Sequence, residues 1–193
     1  MANHALFIPG LGDKRTFGQD IAIQLWRLFG LRPHYLALGW HKNVGLDAKL
    51  QPLLDLIAKL QSEGHVVSLV GASAGASAVI NTYMKNKDIK RVIYICGKIN
   101  RPGAVSSSYY SKNPDFEASL TKLQDNLKQL TPADKQKFLN IYPYVDNVVP
   151  YPDTKIDGVA ELKIPGWSHA VGIMCGIILG APAIAKFIRK QSP

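Results

Sequence analysis

The sequence predicts an α/β fold, in which a mainly parallel sheet of about six strands carries helices on both faces. Short apolar runs typical of buried strands alternate along the chain with longer runs that have helical spacing. Strands that are separated by helical crossovers pair in parallel. The predicted strands lie near residues 4–9, 34–38, 65–70, 91–96, 138–142 and 159–164, and the predicted helices near 15–29, 46–62, 73–85, 117–129, 132–137 and 169–190.

Length and composition favour one compact domain, residues 1–193. The chain has 193 residues, of which 47% are hydrophobic, and this is enough for a sizeable core without a second one. The first predicted strand begins almost directly after Met1, and no basic segment followed by a signal-like apolar core precedes it. Secreted proteins carry such a leader, so we expect a cytoplasmic protein.

The apolar segment from Ala170 to Ala185 carries glycines at intervals of four residues, at Gly172, Gly176 and Gly180. The segment contains Pro182 and is shorter than the ~20 residues that a membrane-spanning helix needs. We therefore expect no membrane span, but a helix that packs closely on the sheet with glycine at the points of contact.

The net charge of +9 raises the question of a nucleic-acid partner. The densest basic cluster falls where a predicted helix ends and the next strand begins, and no aromatic residues alternate with it. A solvated face explains this cluster better than specific nucleic-acid binding, and cations also suit a helix C-terminus. The cluster consists of Lys85, Lys87, Lys90 and Arg91.

The chain contains two cysteines, Cys96 and Cys175. They have neither the spacing of metal ligands nor that of a disulfide framework. We expect both to be buried free thiols, and we expect no metal.

The segment from Gly71 to Ala78 consists entirely of glycine, alanine and serine, and it contains the pattern G-x-S-x-G centred on Ser73. It joins an apolar strand, residues 65–70, to a helical run that starts at Ser77. This pattern at such a junction is typical of a nucleophile elbow, where a sharp turn leaves no room for bulky neighbours. The alternative is a small-residue helix start that merely packs against a neighbour. The glycine patterns of dinucleotide and P-loop phosphate sites do not occur here.

A serine nucleophile needs a base that removes its proton and a third group that orients the base. Asp146 comes shortly after the predicted strand 138–142, and His169 comes shortly after 159–164. The order Ser73, Asp146, His169 is the Ser…Asp…His order of the α/β-hydrolase arrangement. We therefore expect Ser73 as nucleophile, His169 as base and Asp146 as the acid that orients it.

Other residues are alternatives for two of these roles. His41 follows the predicted strand 34–38 and is the alternative base. Asp153 and Asp157 lie in the loop before the last strand and are alternative acids, although Asp153 follows Pro152 and equally suits a turn. The remaining histidines lie at the start of strands, at the opposite edge of a parallel sheet. They are His4, His34 and His65.

On these segments the chain resembles the α/β-hydrolase superfamily, as a small member of the serine esterase and lipase type. The resemblance extends from about Ala5 to Arg189, and residues 9–13 look like the oxyanion loop of the family. It implies a minimal α/β-hydrolase fold, with an oxyanion hole formed by the backbone N–H groups of Leu11 and Ala74. No cofactor is implied.

The longest insertion, residues 97–137, leaves the sheet at the carboxyl end of a strand, where ligands bind in such folds. We expect it to form a partial cap over Ser73. Tyr109, Tyr110 and Phe116 then either line the substrate pocket or simply seal the cap to the sheet. Gly10 and Trp167 are further candidates for substrate contact.

The expected activity is hydrolysis of a carboxylic ester or thioester of a small molecule through an acyl-enzyme intermediate. The alternative is a binding module for a ligand or a protein partner, which keeps the hydrolase scaffold without turnover, because a fold does not guarantee a function.

Overall fold

The computed structural model describes residues 1–190, so the last residues of the predicted domain, 191–193, lie outside the described residues. Six strands form one sheet in the order β2-β1-β3-β4-β5-β6, and every neighbouring pair is parallel. The strands are β1 (Asn3–Ile8), β2 (Leu31–Tyr35), β3 (Val66–Ala72), β4 (Val92–Ile95), β5 (Phe138–Pro143) and β6 (Ala160–Ile164).

Helices connect the strands and cover the sheet. Two short 3-10 helices, Ile23–Phe29 and Pro102–Ala104, supplement the α-helices. The α-helices are α1 (Gln19–Ala22), α2 (Leu46–Ser62), α3 (Gly75–Lys85), α4 (Ser107–Lys112), α5 (Pro114–Lys128), α6 (Pro132–Lys135), α7 (Tyr151–Thr154), α8 (His169–Ile178) and α9 (Ala181–Arg189).

The sheet has a hydrophobic core on each face because successive side chains of a strand point to opposite sides. In β1, Leu6 and Ile8 belong to one core, whereas Ala5 and Phe7 belong to the other. Helices α2, α3 and α5 cover the first core, and α1, the following 3-10 helix, α8 and α9 cover the second. The prediction of an α/β fold with a parallel six-stranded sheet and helices on both faces is thereby confirmed.

The predicted helix 169–190 is divided into α8 and α9, which meet at an angle of 56°. The break follows from Gly180 and Pro182, because proline is favoured at the start of a helix and disfavoured inside one. Within residues 1–190, none of the helices taken singly combines the length and the apolar character needed to cross a membrane, and only the bent pair α8 and α9 passes by length and composition.

Two other elements differ from the prediction in type or in position. Within the predicted helix 15–29, only Gln19–Ala22 is α-helix, and Ile23–Phe29 is a 3-10 helix. The second strand is Leu31–Tyr35 instead of 34–38 and contains Pro33. Strand β2 lies at the edge of the sheet, where a proline that lacks an N–H donor is tolerated.

The basic cluster is only partly a solvated face. Lys87 forms an ion pair with Asp134 at 3.1 Å, but Arg91 is only 1% exposed. Its guanidinium donates hydrogen bonds to the carbonyl oxygens of Phe187 and Lys190 at 3.1 and 2.9 Å. The interpretation as a solvated face is therefore wrong for Arg91, which instead satisfies carbonyls at the end of α9, where a cation is favoured.

Residues 97–137 contain the 3-10 helix Pro102–Ala104 and helices α4, α5 and α6. Asp115, in the first turn of α5, fixes this segment to the chain before α2. Its carboxylate accepts hydrogen bonds from the N–H groups of Val44 and Gly45 at 3.2 and 3.1 Å and pairs with Lys49 at 3.2 Å. These contacts hold the start of α5 against the chain before α2. The segment lies next to the carboxyl ends of the strands.

Candidate active site

Ser73 lies in the sharp turn between β3 and α3, with φ at 52°. A left-handed conformation is unfavourable for serine by roughly 1–3 kcal/mol, so the surroundings must enforce it. A Cβ on Gly71 would lie 2.5 Å from the carbonyl oxygen of Gly75, and one on Gly75 would lie 2.2 Å from that of Ile8. Both glycines of the G-x-S-x-G pattern are therefore required by backbone packing around the serine.

The structure brings Ser73, His169 and Asp146 together in one hydrogen-bonded series. The Nε2 atom of His169 lies 2.9 Å from the Oγ of Ser73, and its Nδ1 lies 2.8 Å from an Oδ of Asp146. His169 is the first residue of α8, which Ser168 caps by accepting a hydrogen bond from the N–H of Val171. The imidazole therefore bridges the hydroxyl and the carboxylate.

Asp146 lies in the loop after β5, with its side chain 3% exposed. Its second carboxylate oxygen accepts hydrogen bonds from the N–H groups of Val148 and Val149 at 2.9 and 2.8 Å. Burial works to raise the pKa of Asp146, but the hydrogen bonds from His169 and the Val149 N–H outweigh it and hold the pKa below its ordinary value. The carboxylate is thus ionised at neutral pH.

Cys96 adjoins this series, and its Sγ lies with ligand atoms of Asp146 and His169 inside a group in which all distances are within 4.8 Å. Such a group is large enough to hold a metal ion. Burial, reinforced by the charge of Asp146, raises the pKa of the Cys96 thiol, whereas a metal needs the thiolate. The chemistry of these three side chains therefore favours the hydrogen-bonded series over a metal site. Cys175, expected to be buried, is half-buried.

Two backbone N–H groups near Ser73 are available as donors. Leu11 and Ala74 both line the cavity beside Ser73, and within residues 1–190 neither N–H donates a hydrogen bond. Ala74 immediately precedes α3, where the helix dipole favours a negative charge. They are the two N–H groups for which the resemblance described above implies an oxyanion hole.

The cavity beside Ser73 has a volume of about 400 Å³. It lies between residues 97–137, here called the cap segment, and the loop after β5. Tyr109 and Phe116 line it, as expected for a pocket formed by the cap. Tyr110 does not, because its ring packs on Phe116 and its hydroxyl donates to the carbonyl oxygen of Pro102 at 2.6 Å. For Tyr110, the geometry favours the alternative that its side chain seals the cap.

The other two candidates for substrate contact are placed differently. Gly10 lies against the side chain of Ser73 rather than along the cavity wall. Trp167 is 75% exposed and is not among the residues that line the cavity. A pocket role for Trp167 therefore finds no support in the geometry.

The alternative base and acids lie apart from the series. His41 is 3.9 Å from Asp13, and Asp157 is exposed and pairs with Lys155 at 2.9 Å. Asp153 is buried and forms ion pairs with Lys98 and Arg101. The geometry thus favours Asp146 over Asp153 as the partner of His169.

Lys98 and Arg101 line the same cavity, although nothing in the sequence pattern singled them out. They are more than fifty residues from Asp153 in the chain, at separations of 55 and 52. A pairing over that distance has no local signal. The one sequence feature that points to a place in the site is that both residues follow a strand whose carboxyl end lies there.

No family model matches the chain, and no curated protein matches it. Solved structures do match it. Est1E from Butyrivibrio proteoclasticus is 14% identical, with a TM-score of 0.69 over 97% of this chain and 87% of that one. An esterase domain from a Rhodothermus marinus protein is 14% identical, with a TM-score of 0.69 over 96% and 86%. The pyrethroid hydrolase PytH is 18% identical, with a TM-score of 0.69 over 100% and 99%.

These similarities show that the chain shares the fold of these three proteins, and the predicted α/β-hydrolase fold is confirmed. The matches cover nearly the whole length of this chain and most of the length of the others, so the likeness concerns the complete fold rather than one motif.

Proposed function

We propose that the protein is a serine hydrolase that cleaves a carboxylic ester or thioester of a small molecule. The observation that carries the proposal is the position of His169, with Nε2 2.9 Å from the Oγ of Ser73 and Nδ1 2.8 Å from Asp146. An imidazole held between a serine and an ionised carboxylate is the arrangement that makes a serine hydroxyl nucleophilic. The esterase and hydrolase names of the structural neighbours support the same class of reaction.

In the proposed mechanism, His169 accepts the proton of Ser73 while Oγ attacks the carbonyl carbon of the substrate. Asp146 holds the imidazole in the required tautomer and stabilises its charged form. The N–H groups of Leu11 and Ala74 bind the oxygen that becomes negative, and each such donor is typically worth ~10²–10³ in rate. His169 then protonates the leaving group, and water releases the acyl group from Ser73. The reaction uses no cofactor.

The cap segment, residues 97–137, has its own part in the proposal. Tyr109 and Phe116 contribute to the wall of the cavity and therefore contact the substrate near the reacting carbonyl. Substrate choice then depends on this wall, whereas the chemistry depends on the three hydrogen-bonded side chains.

The test combines labelling by a fluorophosphonate probe with hydrolysis of short p-nitrophenyl esters. Wild-type protein should be labelled and active, and Ser73→Ala should lose both properties while it stays folded. Ser62→Ala is the matched control, because Ser62 is an exposed serine at the end of α2 whose hydroxyl donates to the carbonyl of Lys59. Full labelling of Ser73→Ala would refute the assignment of the nucleophile.

The same experiment separates the proposal from the alternative of a binding module without turnover. A binding module on this scaffold would show neither labelling nor ester hydrolysis in the wild-type protein. The two hydrogen bonds of His169 argue for the hydrolase, because a binding role does not require them.

A further inference from the structure

The cavity beside Ser73 contains three charged side chains that the proposed mechanism does not use. They are Lys98, Arg101 and Asp153, and among the described residues they are the charged ones that line this cavity. One carboxylate oxygen of Asp153 binds the Nζ of Lys98, and the other binds the Nε of Arg101. A single acid is thus shared by two cations.

This charged group lies next to the proposed nucleophile. The backbone N–H of Lys98 donates to the carbonyl oxygen of Ser73 at 3.3 Å, so the chain after β4 passes directly beside the elbow. The N–H groups of Ile99 and Asn100 donate to the carbonyl oxygen of Asp153, both at 2.8 Å. The loop that carries the two cations is therefore anchored to α7.

The two cations differ in exposure. The side chains of Lys98 and Asp153 are 7% and 3% exposed, whereas that of Arg101 is 56% exposed. A buried lysine needs the counter-charge of Asp153. Arg101 faces solvent and the cavity, and its pair with an acid that Lys98 already neutralises adds little to stability, because the guanidinium is largely exposed to solvent. The need for a counter-charge explains why Lys98 pairs with Asp153. It does not explain why Arg101 lies beside the same carboxylate.

Arg101 retains donors for a ligand. Its Nε binds Asp153, and within residues 1–190 its two terminal nitrogens make no hydrogen bond. A guanidinium offers five N–H donors in a planar fork that fits a carboxylate. Two cations and one carboxylate leave one net positive charge in the cavity. The N-terminus of α3, next to Ser73, adds to the positive potential.

The rest of the cavity wall is mainly apolar. It includes Leu11, Val105, Phe116, Val148 and Val149. Such a wall accepts a hydrocarbon portion of a substrate, and a single cation at one side discriminates by charge. We propose that the preferred substrates are esters whose apolar portion carries a carboxylate, and that Arg101 binds this carboxylate and determines the specificity. The inference rests on the proposed ester hydrolase activity.

The experiment compares kcat/KM for two pairs of esters that differ in charge. The carboxylate is on the leaving group in 4-acetoxybenzoate, compared with its methyl ester. It is on the acyl group in monomethyl adipate, compared with methyl hexanoate. Wild-type protein should prefer the anionic member of at least one pair. Arg101→Gln should lower that anionic-to-neutral ratio about tenfold or more, since a hydrogen bond to a charged group is lost.

Two controls separate a specific contact from general electrostatics. Lys59→Gln removes one positive charge from an exposed position on α2 and should keep the wild-type ratio. Arg101→Lys keeps the charge without the planar fork and should retain part of the preference. Added salt should reduce the preference in wild-type protein, because Arg101 is accessible to screening ions.

The possible outcomes distinguish a failure of the carboxylate specificity from a failure of the proposed hydrolase function. Equal anionic-to-neutral ratios in wild-type protein and Arg101→Gln, with active enzyme, would overturn the carboxylate inference and leave the hydrolase function intact. Absence of turnover and of fluorophosphonate labelling would overturn the hydrolase function. In that case, calorimetric titration with 4-acetoxybenzoate decides the carboxylate site, and equal binding by wild-type protein and Arg101→Gln would refute it.

Discussion

Gly10 lies so close to Ser73 that a Cβ at position 10 would be 2.7 Å from the Cβ of Ser73 and 3.2 Å from its Oγ. The same Cβ would lie 3.3 Å from the carbonyl oxygen of Ala72. Non-bonded carbon atoms do not approach to 2.7 Å, so the loop after β1 and the serine turn fit together only without a side chain at position 10.

We expect Gly10→Ala to displace Ser73 and to lower kcat/KM by about 10²-fold, because small misplacements of a reacting group have large effects on rate. Gly103→Ala is the control, since a Cβ at Gly103 would meet nothing within 4 Å. Ester hydrolysis and unfolding by urea are measured for both variants. A Gly10→Ala enzyme with the wild-type rate would contradict this account of the elbow.

Asp146→Asn should lower kcat by roughly 10³–10⁴ with little change in stability, because an amide fixes the wrong tautomer of His169. The comparison variant is Asp157→Asn, which removes an exposed carboxylate paired with Lys155 and should keep full activity. Initial rates with a p-nitrophenyl ester report the difference. Comparable losses in both variants would show that general charge, rather than the bond to His169, matters.

Asp153→Asn should instead reduce stability, by about 3–5 kcal/mol in the free energy of unfolding, because the buried Lys98 loses its counter-charge. Urea denaturation measures the change. Combining Asp153→Asn with Lys98→Met should recover part of the loss, since a buried charge is replaced by an apolar side chain. If the double variant is less stable than Asp153→Asn alone, the unpaired lysine is not the cause.

The ring of His4 in β1 stacks on the ring of His34 in β2 and on that of His65, the residue before β3. The ring of His4 lies 5.0 Å from that of His34 and 4.8 Å from that of His65, centroid to centroid, and its Nδ1 is 2.8 Å from the Nε2 of His34. Burial lowers the pKa of His4, and the neighbouring His34 and His65 lower it further. Burial, together with the charge of Arg27, lowers the pKa of His34.

This stack predicts a loss of stability in mild acid. Both pKa values lie below the ordinary 6.5, so near that pH the unfolded chain binds protons that the folded protein does not. The free energy of unfolding should therefore fall as the pH drops below about 6.5. His34→Gln keeps a polar partner for His4 and should flatten the dependence, whereas His41→Gln, outside the stack, should not. Urea denaturation at pH 7.5 and 5.5 provides the measurement.

Local sequence signals predicted much of the fold and the three residues of the hydrogen-bonded series. Most of the strands are short apolar runs, and the serine turn requires small residues on both sides, so each of these signals lies within a few positions. Asp146 and His169 could be located because the carboxyl ends of parallel strands meet at one edge of the sheet.

Features that depend on distant contacts could not be predicted in this way. Tyr109 and Tyr110 are adjacent on α4, but helical geometry points them in different directions, one to the cavity and one to the cap interior. The burial of Arg91 depends on α9 ending nearby. The ion pairs of Asp153 join segments that only the folded sheet brings together.

The positions of the site residues along the chain also determine when the site can be completed during synthesis. Strands β1 to β4 and the elbow are contained in the first half of the chain, whereas Asp146 and His169 follow β5 and β6. Chains emerge from the ribosome amino terminus first. A nascent chain therefore carries Ser73 for 96 residues of synthesis before its proposed base appears. The proposed reactivity of Ser73 towards esters is therefore withheld until the start of α8 has been made.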